Sequence, residues 1–242
     1  MSTTFPYQFE YEGDSTIIIR IQSPTQQHPD VEVNLAAIRI ADEINALVRE
    51  KKATGIIEAI PTFSTVGVYY RLDDLGTNAF EKVCQYLSPI CDAHLSTETP
   101  INHTPNTVEI PVCYDTEFGI DLEELSQTLQ ISIDEIIRLH SQQAVRVFML
   151  GFSPGLPYLG LFDEKFNIPR RATPRVKLAA GSIAIANRQC VIYPYETPGG
   201  WHIIGRTPLK LFDPNHAPYT RYKPGDMIVF KPISKEEYLS LK

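Results

Sequence analysis

The feature that most constrains this chain is a change of texture near residue 143. The last hundred of its 242 residues hold 11 of the 19 prolines and 8 of the 13 glycines. Proline removes a backbone donor and glycine lowers helix stability, so long helices do not survive at that density. Short strand-forming runs remain, at 143–150, 181–186, 190–193 and 227–231, with turn residues between them. Many short strands joined by Gly/Pro turns predict a β-barrel or a sandwich.

Ahead of that change the pattern is mixed. Residues 16–21 are a β-branched run, Leu35, Ile38, Ala41, Ile44, Ala46 and Val48 recur at helical spacing, and Gly55 stops that helix. Residues 55–60 and 64–70 read as strands joined through Pro61 and Thr62, and a second helix presents Phe80, Val83, Cys84, Leu87 and Ile90. A strand at 107–112 closes the unit, so the order βαββαβ predicts a ferredoxin-like domain over 1–114. Asp121 is placed to cap a helix over 122–130, and Ser132 with Glu135 forms a capping-box signature for a helix ending near His140. These two short helices lead into the barrel over 115–242, and the expected class is α+β.

Several function classes fall away on composition. No run approaches eighteen apolar residues, so no membrane span is expected. The stretch Met1 to Glu10 lacks the basic start and apolar core of a signal peptide. Cys84, Cys91, Cys113 and Cys190 contain no C-x-x-C pair and read as reduced thiols, which points to the cytoplasm. The net charge is −7, distributed as −14 over residues 1–142 and +7 over 143–242. An acidic protein is repelled from a polyanion at long range, which argues against nucleic acid. The basic half suits an anionic ligand or an acidic partner, or is a solvated face.

The motifs divide into those that could carry chemistry and those that could build a wall. Gly151-Phe152-Ser153-Pro154-Gly155 fits G-x-S-x-G, with Asp213 and His216 as imaginable partners. A nucleophile elbow needs a helix directly after the serine, which Pro154 and Pro157 oppose. A rigid loop in which Phe152, Leu156 and Tyr158 cover a pocket or core is the better reading. Pro198-Gly199-Gly200-Trp201 either turns backbone N–H groups into an anion nest beside the lone tryptophan or is a tight turn with Trp201 in the core. Arg170, Arg175 and Arg206 lie beside prolines and glycines, where a forked guanidinium held by a rigid loop suits carboxylate or phosphate. His140, His202 and His216 lack metal-ligand spacing, so no metal is assigned. Neither glycine-rich segment is a P-loop or a dinucleotide fingerprint.

Taken in order, Phe118-Gly119-Ile120-Asp121-Leu122, Leu139-His140, the run from Gly151 to Gly160, Pro169-Arg170, Pro174-Arg175, the run from Ala180 to Ala186, Ile192-Tyr193-Pro194, the run from Pro198 to Pro208, and Gly225-Asp226 resemble the allophanate-hydrolase-subunit-1 family. Its members include subunits of ATP-dependent 5-oxoprolinase and inhibitors of sensor histidine kinases. A family glycine near Asn187 and a family threonine near Cys190 are replaced, and Leu178-Ala179 stands where Val-Pro is common. The resemblance implies a small N-terminal α/β domain followed by a cyclophilin-like β-barrel. It implies a homologous cyclophilin-like second subunit and a third subunit as partners, with ATP, accompanied where needed by Mg, in a site shared between them. The activity implied is opening of 5-oxo-L-proline to L-glutamate with ATP hydrolysis, absent from the isolated chain. Arg170, Arg175 and Arg206 are then the expected anion contacts, with His140 a further polar candidate. Phe152, Pro154, Gly155, Tyr193 and Trp201 are the expected substrate walls, and Gly199 and Gly200 the backbone donors. The alternative implied is a regulatory protein that docks on a sensor histidine kinase. Urea-derived amide or carboxyl-transfer chemistry is a third reading, and prolyl isomerisation a weaker one, since a fold does not transfer a site.

Overall fold

A computed structural model describes residues 5–23, 29–95 and 104–241, which form two compact units divided between His103 and Thr104. In the first unit, strands β1 (Tyr7–Tyr11) and β2 (Thr16–Ile21) precede helix α1 (Val31–Arg49). Strands β3 (Ile56–Pro61) and β4 (Thr65–Tyr70), a single helical turn α2 (Leu72–Leu75) and helix α3 (Ala79–Leu95) follow. The sheet order is β1-β2-β4-β3, with every neighbouring pair antiparallel. Asp30 caps α1, its carboxylate accepting from the Glu32 and Val33 amides. Ile17, Ile19, Val66 and Val68 on one sheet face share a core with Ala37, Ile40 and Ile44 of α1 and with Val83 and Leu87 of α3.

This unit corrects the expected βαββαβ order. Its fourth strand is β1, whose Tyr7, Phe9 and Tyr11 alternate with polar residues as a half-buried strand does. The strand expected to close it, β5 (Thr107–Cys113), belongs to the second unit and pairs in parallel with β13 (Met227–Ile233) through seven consecutive residues. A parallel partner more than a hundred residues away leaves no local sequence signal, whereas hairpins do.

In the second unit α4 (Leu122–Leu129) and α5 (Ile133–Ser141) follow β5, and then come β6 (Val145–Leu150), β7 (Pro157–Gly160), β8 (Arg175–Leu178), β9 (Ser182–Ala186), β10 (Gln189–Ile192), β11 (Thr197–Gly199) and β12 (His202–Arg206). After β13 the short helix α6 (Lys235–Ser240) starts at a capping box formed by Ser234 and Glu237. Seven strands close a barrel in the order β10-β7-β6-β13-β5-β12-β9, which is consistent with the cyclophilin-like barrel expected. Strands β8 and β11 form a separate two-stranded ribbon. Asn187 and Arg188, both with positive φ (49° and 61°), make the two-residue turn between β9 and β10. Two left-handed residues match the right-handed twist of a hairpin, and asparagine tolerates that conformation better than most residues.

Strand alternation sorts the barrel side chains into two clusters. Leu159, Ile183, Ile185, Cys190, Ile192 and Ile204 enter the main core with Leu122, Leu125, Ile136 and Leu139 of the two helices. Their neighbours Tyr158, Ala184, Val191, Tyr193, Trp201 and Ile203 form a second cluster on the opposite strand face. Both faces of β9 are therefore buried, and all five of its residues are inaccessible.

Candidate functional site

The second cluster floors a cavity of about 330 Å3. Tyr158 comes from β7, Val191 from β10, Tyr193 from just beyond it, and Trp201 from the residue before β12. Phe152 and Leu156 close one side, while Arg170, Arg171, Pro174, Pro198, Gly199 and Gly200 close the other. The Tyr158 ring meets Trp201 edge-on at 6.1 Å. The Arg170 guanidinium lies over the indole at 5.2 Å from its centroid, a cation–π contact. Burial pushes the Tyr193 phenol up to about 12, so at neutral pH it is a protonated donor. A Cβ on Gly199 would run into that hydroxyl and approach Leu178 within 2.7 Å, so only glycine keeps this wall in place.

Six of the expected site residues are thus brought together: Phe152, Arg170, Tyr193, Gly199, Gly200 and Trp201. Phe152 is 67% exposed and held at φ 66°, overhanging the mouth. Arg171, Pro174 and Val191 are wall residues that motif reading missed. The Arg170-Arg171 doublet was the available signal for the first of them. Pro154 and Gly155 lie outside the cavity, where residues 150–155 shape a shallower adjoining groove. Gly155, at φ 78°, packs its backbone against Phe212. The glycine pair is not an anion nest, because neither Gly199 nor Gly200 takes the left-handed φ that an alternating nest requires. Gly199 instead pairs across to Arg175 in the ribbon, and the Gly200 carbonyl accepts from the Arg171 amide at 2.7 Å. No helix follows Ser153, and His216 is an exposed residue paired with Asp213 at 3.1 Å, so the elbow motif is a rigid loop.

Arg175 and Arg206 are also outside the cavity. Arg175 forks onto the Asp121 carboxylate at 2.9 and 2.5 Å, and the Arg206 Nε donates to the Ala180 carbonyl at 2.8 Å. The basic C-terminal half is largely neutralised from within its own unit. Lys165 pairs with Glu135, Arg171 with Asp121 and Glu124, Arg175 with Asp121, Lys231 with Glu109, and Lys235 with Glu117. These acidic partners come from residues 109–135, while Lys177, Arg188 and Lys210 pair with Glu196, Glu164 and Asp213, so part of the charge asymmetry along the chain is an internal complementarity. Arg170 has no ion pair among the described residues, and it is the cavity's uncompensated cation. A triphosphate needs several such donors, so these walls do not fit ATP.

His140 is a core residue, not a site residue. It is fully buried inside the barrel, stacked on Phe162 with centroids 5.0 Å apart, paired through Nδ1 with the Tyr114 hydroxyl at 2.7 Å, and 3.5 Å from the Cys190 sulfur. Burial drives its pKa down to about 3, so the folded chain holds it neutral while the unfolded chain titrates it near 6.5. Between those values the unfolded state binds more protons, and the stability this neutral imidazole allows is lost as pH falls from about 6.5 toward 3. His140→Gln is therefore expected to flatten the acid limb of a stability–pH curve by up to about 1.4 kcal/mol per pH unit. Equilibrium urea unfolding at pH 7 and pH 4.5 measures it, and an unchanged slope would remove His140 as the titrating group.

The chain has counterparts among known proteins. The family model for the carboxyltransferase domain, subdomain C and D, matches residues 8–221. The chain belongs to that family. Among its relatives, a 5-oxoprolinase subunit of Bacillus subtilis is 37% identical over 99% of this chain and 98% of its own length. The crystal structure of TTHA0988 superposes with a TM-score of 0.74 at 28% identity over 90% of this chain, which spans only 40% of that longer one. The Kluyveromyces lactis urea amidolyase shares the fold at a TM-score of 0.75 and 16% identity, covering 98% of this chain and 15% of its own. The 5-oxoprolinase subunit is among the relatives to which the motif set pointed. No helix among the described residues is long and apolar enough to cross a membrane.

Proposed function

We propose that this chain is one component of an ATP-dependent 5-oxoprolinase and that the cavity beside Trp201 forms the wall that holds 5-oxo-L-proline. The observation that carries the reading is an aromatic cavity with one uncompensated cation, Arg170, stacked on Trp201. 5-Oxoproline is a small five-membered lactam with a single carboxylate. In this reading the carboxylate pairs with Arg170 and the ring lies among Tyr158, Tyr193 and Trp201. The Tyr193 hydroxyl then donates to the lactam carbonyl, drawing charge onto the oxygen that is to be activated. Full-length similarity to a relative named as a 5-oxoprolinase component supports the substrate class.

The partners follow from what the cavity lacks. Arg171, Arg175 and Arg206 are engaged inside the chain, so in this reading the phosphate contacts come from a homologous second subunit and a third subunit. The longer chains of structural relatives, of which this fold is a fraction, support the need for additional domains. The partner subunits would supply the ATP-dependent activation of the amide oxygen, ATP leaving as ADP and phosphate, while this chain holds the lactam that water opens to L-glutamate.

The test is ATP hydrolysis and glutamate release from 5-oxoproline, first with this chain alone and then with its candidate partner subunits. Activity is expected only in the mixture. Silence in a mixture shown to assemble would overturn the enzyme reading in favour of a regulatory one, with a sensor histidine kinase as the partner to try.

A further inference from the structure

We infer that Asp121 is the positioning residue of this cavity: its buried carboxylate sets the loop at 169–175 and the start of β12 at the spacing that lays Arg170 over Trp201. In its kinetic consequence the inference rests on the 5-oxoprolinase reading above. A carboxylate offers about four acceptor sites, and at Asp121, which is 1% exposed, four hydrogen bonds fill them. Arg175 Nη1 and Nη2 donate to Oδ2 and Oδ1 at 2.9 and 2.5 Å, Arg171 Nη1 donates to Oδ1 at 3.1 Å, and the Ile203 amide donates to Oδ2 at 2.7 Å. The Asp121 amide in turn donates to the Ile203 carbonyl at 3.0 Å. One residue thus holds both segments that carry the cation and the indole.

Two further bonds join the same segments, from the Arg171 amide to the Gly200 carbonyl at 2.7 Å and from His202 Nε2 to the Pro169 carbonyl at 3.0 Å. Arg170 and Trp201 each sit between these staples, one residue from a fixed point on either side. Asp121 does not line the cavity, so it acts on Arg170 only through the loop. Its position before α4 would suit a helix cap, yet its side chain makes no cap bond and turns to the arginines instead. A buried carboxylate that loses one of its donors is costly to keep in place, so removing one member of the cluster loosens the others.

Trp201, the lone tryptophan, lets the full-length chain report on the clamp without ligand or partner. Asp121→Asn keeps the shape of the side chain and removes its charge. Arg175→Gln removes the forked half of the cluster and serves if the first variant fails to fold. Both should shift Trp201 emission to the red and increase its quenching by acrylamide. In the reconstituted complex both should raise KM for 5-oxoproline about tenfold, the worth of one charge-assisted hydrogen bond, with a smaller effect on kcat. Leu139→Ala, which empties core volume under α5, is the control for general loosening and should lower the melting temperature with emission unchanged. Wild-type emission and KM in Arg175→Gln would overturn the positioning role, as would an equal emission shift in Leu139→Ala. If emission shifts as expected but the wild-type complex does not turn over 5-oxoproline, the substrate reading fails and the positioning of Arg170 stands.

Discussion

Arg170→Gln is expected to lower kcat/KM for 5-oxoproline in the reconstituted complex by about a hundredfold, the loss of two charge-assisted hydrogen bonds at roughly 1.5 kcal/mol each. The melting temperature of the chain should barely move, because Arg170 has no ion pair among the described residues and lies over the Trp201 ring. The same change at Arg175 should behave differently, since that guanidinium is bound to Asp121 and acts on the cavity at second hand. Steady-state kinetics beside thermal melts separates the two. A kcat/KM within about threefold of wild type for Arg170→Gln would take the carboxylate away from this cation.

Gly181→Ala should destabilise the chain by about 3 kcal/mol, the sum of a left-handed penalty and a steric overlap with backbone. Gly181 has φ 83°, and a Cβ there would run into the Thr207 carbonyl oxygen. The backbone cannot turn away, because the Gly181 amide donates to the Tyr193 carbonyl at 2.7 Å and its own carbonyl accepts from the Thr207 amide at 2.9 Å. Those bonds fasten the entry to β9 between β10 and β12, so the loss should appear in global unfolding rather than as local fraying. Urea denaturation gives the value, and an unchanged midpoint would mean that this junction relaxes at no cost.

Much of the second unit was readable because its signals are local. Turn residues every few positions marked the strands, and the cap signals at Asp121 and Ser132 marked α4 and α5. Ser132 caps α5 as its spacing suggested, the hydroxyl accepting from the Glu135 amide at 3.1 Å. The aromatic and glycine members of the site were legible for the same reason, since Gly-Gly-Trp and the Phe152 loop stand out in any frame. The misreadings involve residues whose partners lie far along the chain. Arg175 looked like an anion contact and Asp121 like a helix cap, and each is the other's partner across 54 residues. His140 looked like a polar candidate, but its fate was decided by Phe162, Phe230 and Cys190, which close over it.

The sequence by itself determined the mixed first unit, the short strands of the second, and the loops from which a cavity is built, because periodicity and turn chemistry act over a few residues; closure of those strands into a barrel is a tertiary outcome. Only the tertiary structure decided which cations remain free. The acidic first part of the chain and the basic last hundred residues read as separate charges, yet folding pairs Lys165, Arg171, Arg175 and Lys235 with carboxylates of the 109–135 segment. Coulomb pairing depends on distance in space, to which order along the chain is no guide, so of the three arginines that the motifs proposed only Arg170 lines the cavity without a carboxylate beside it.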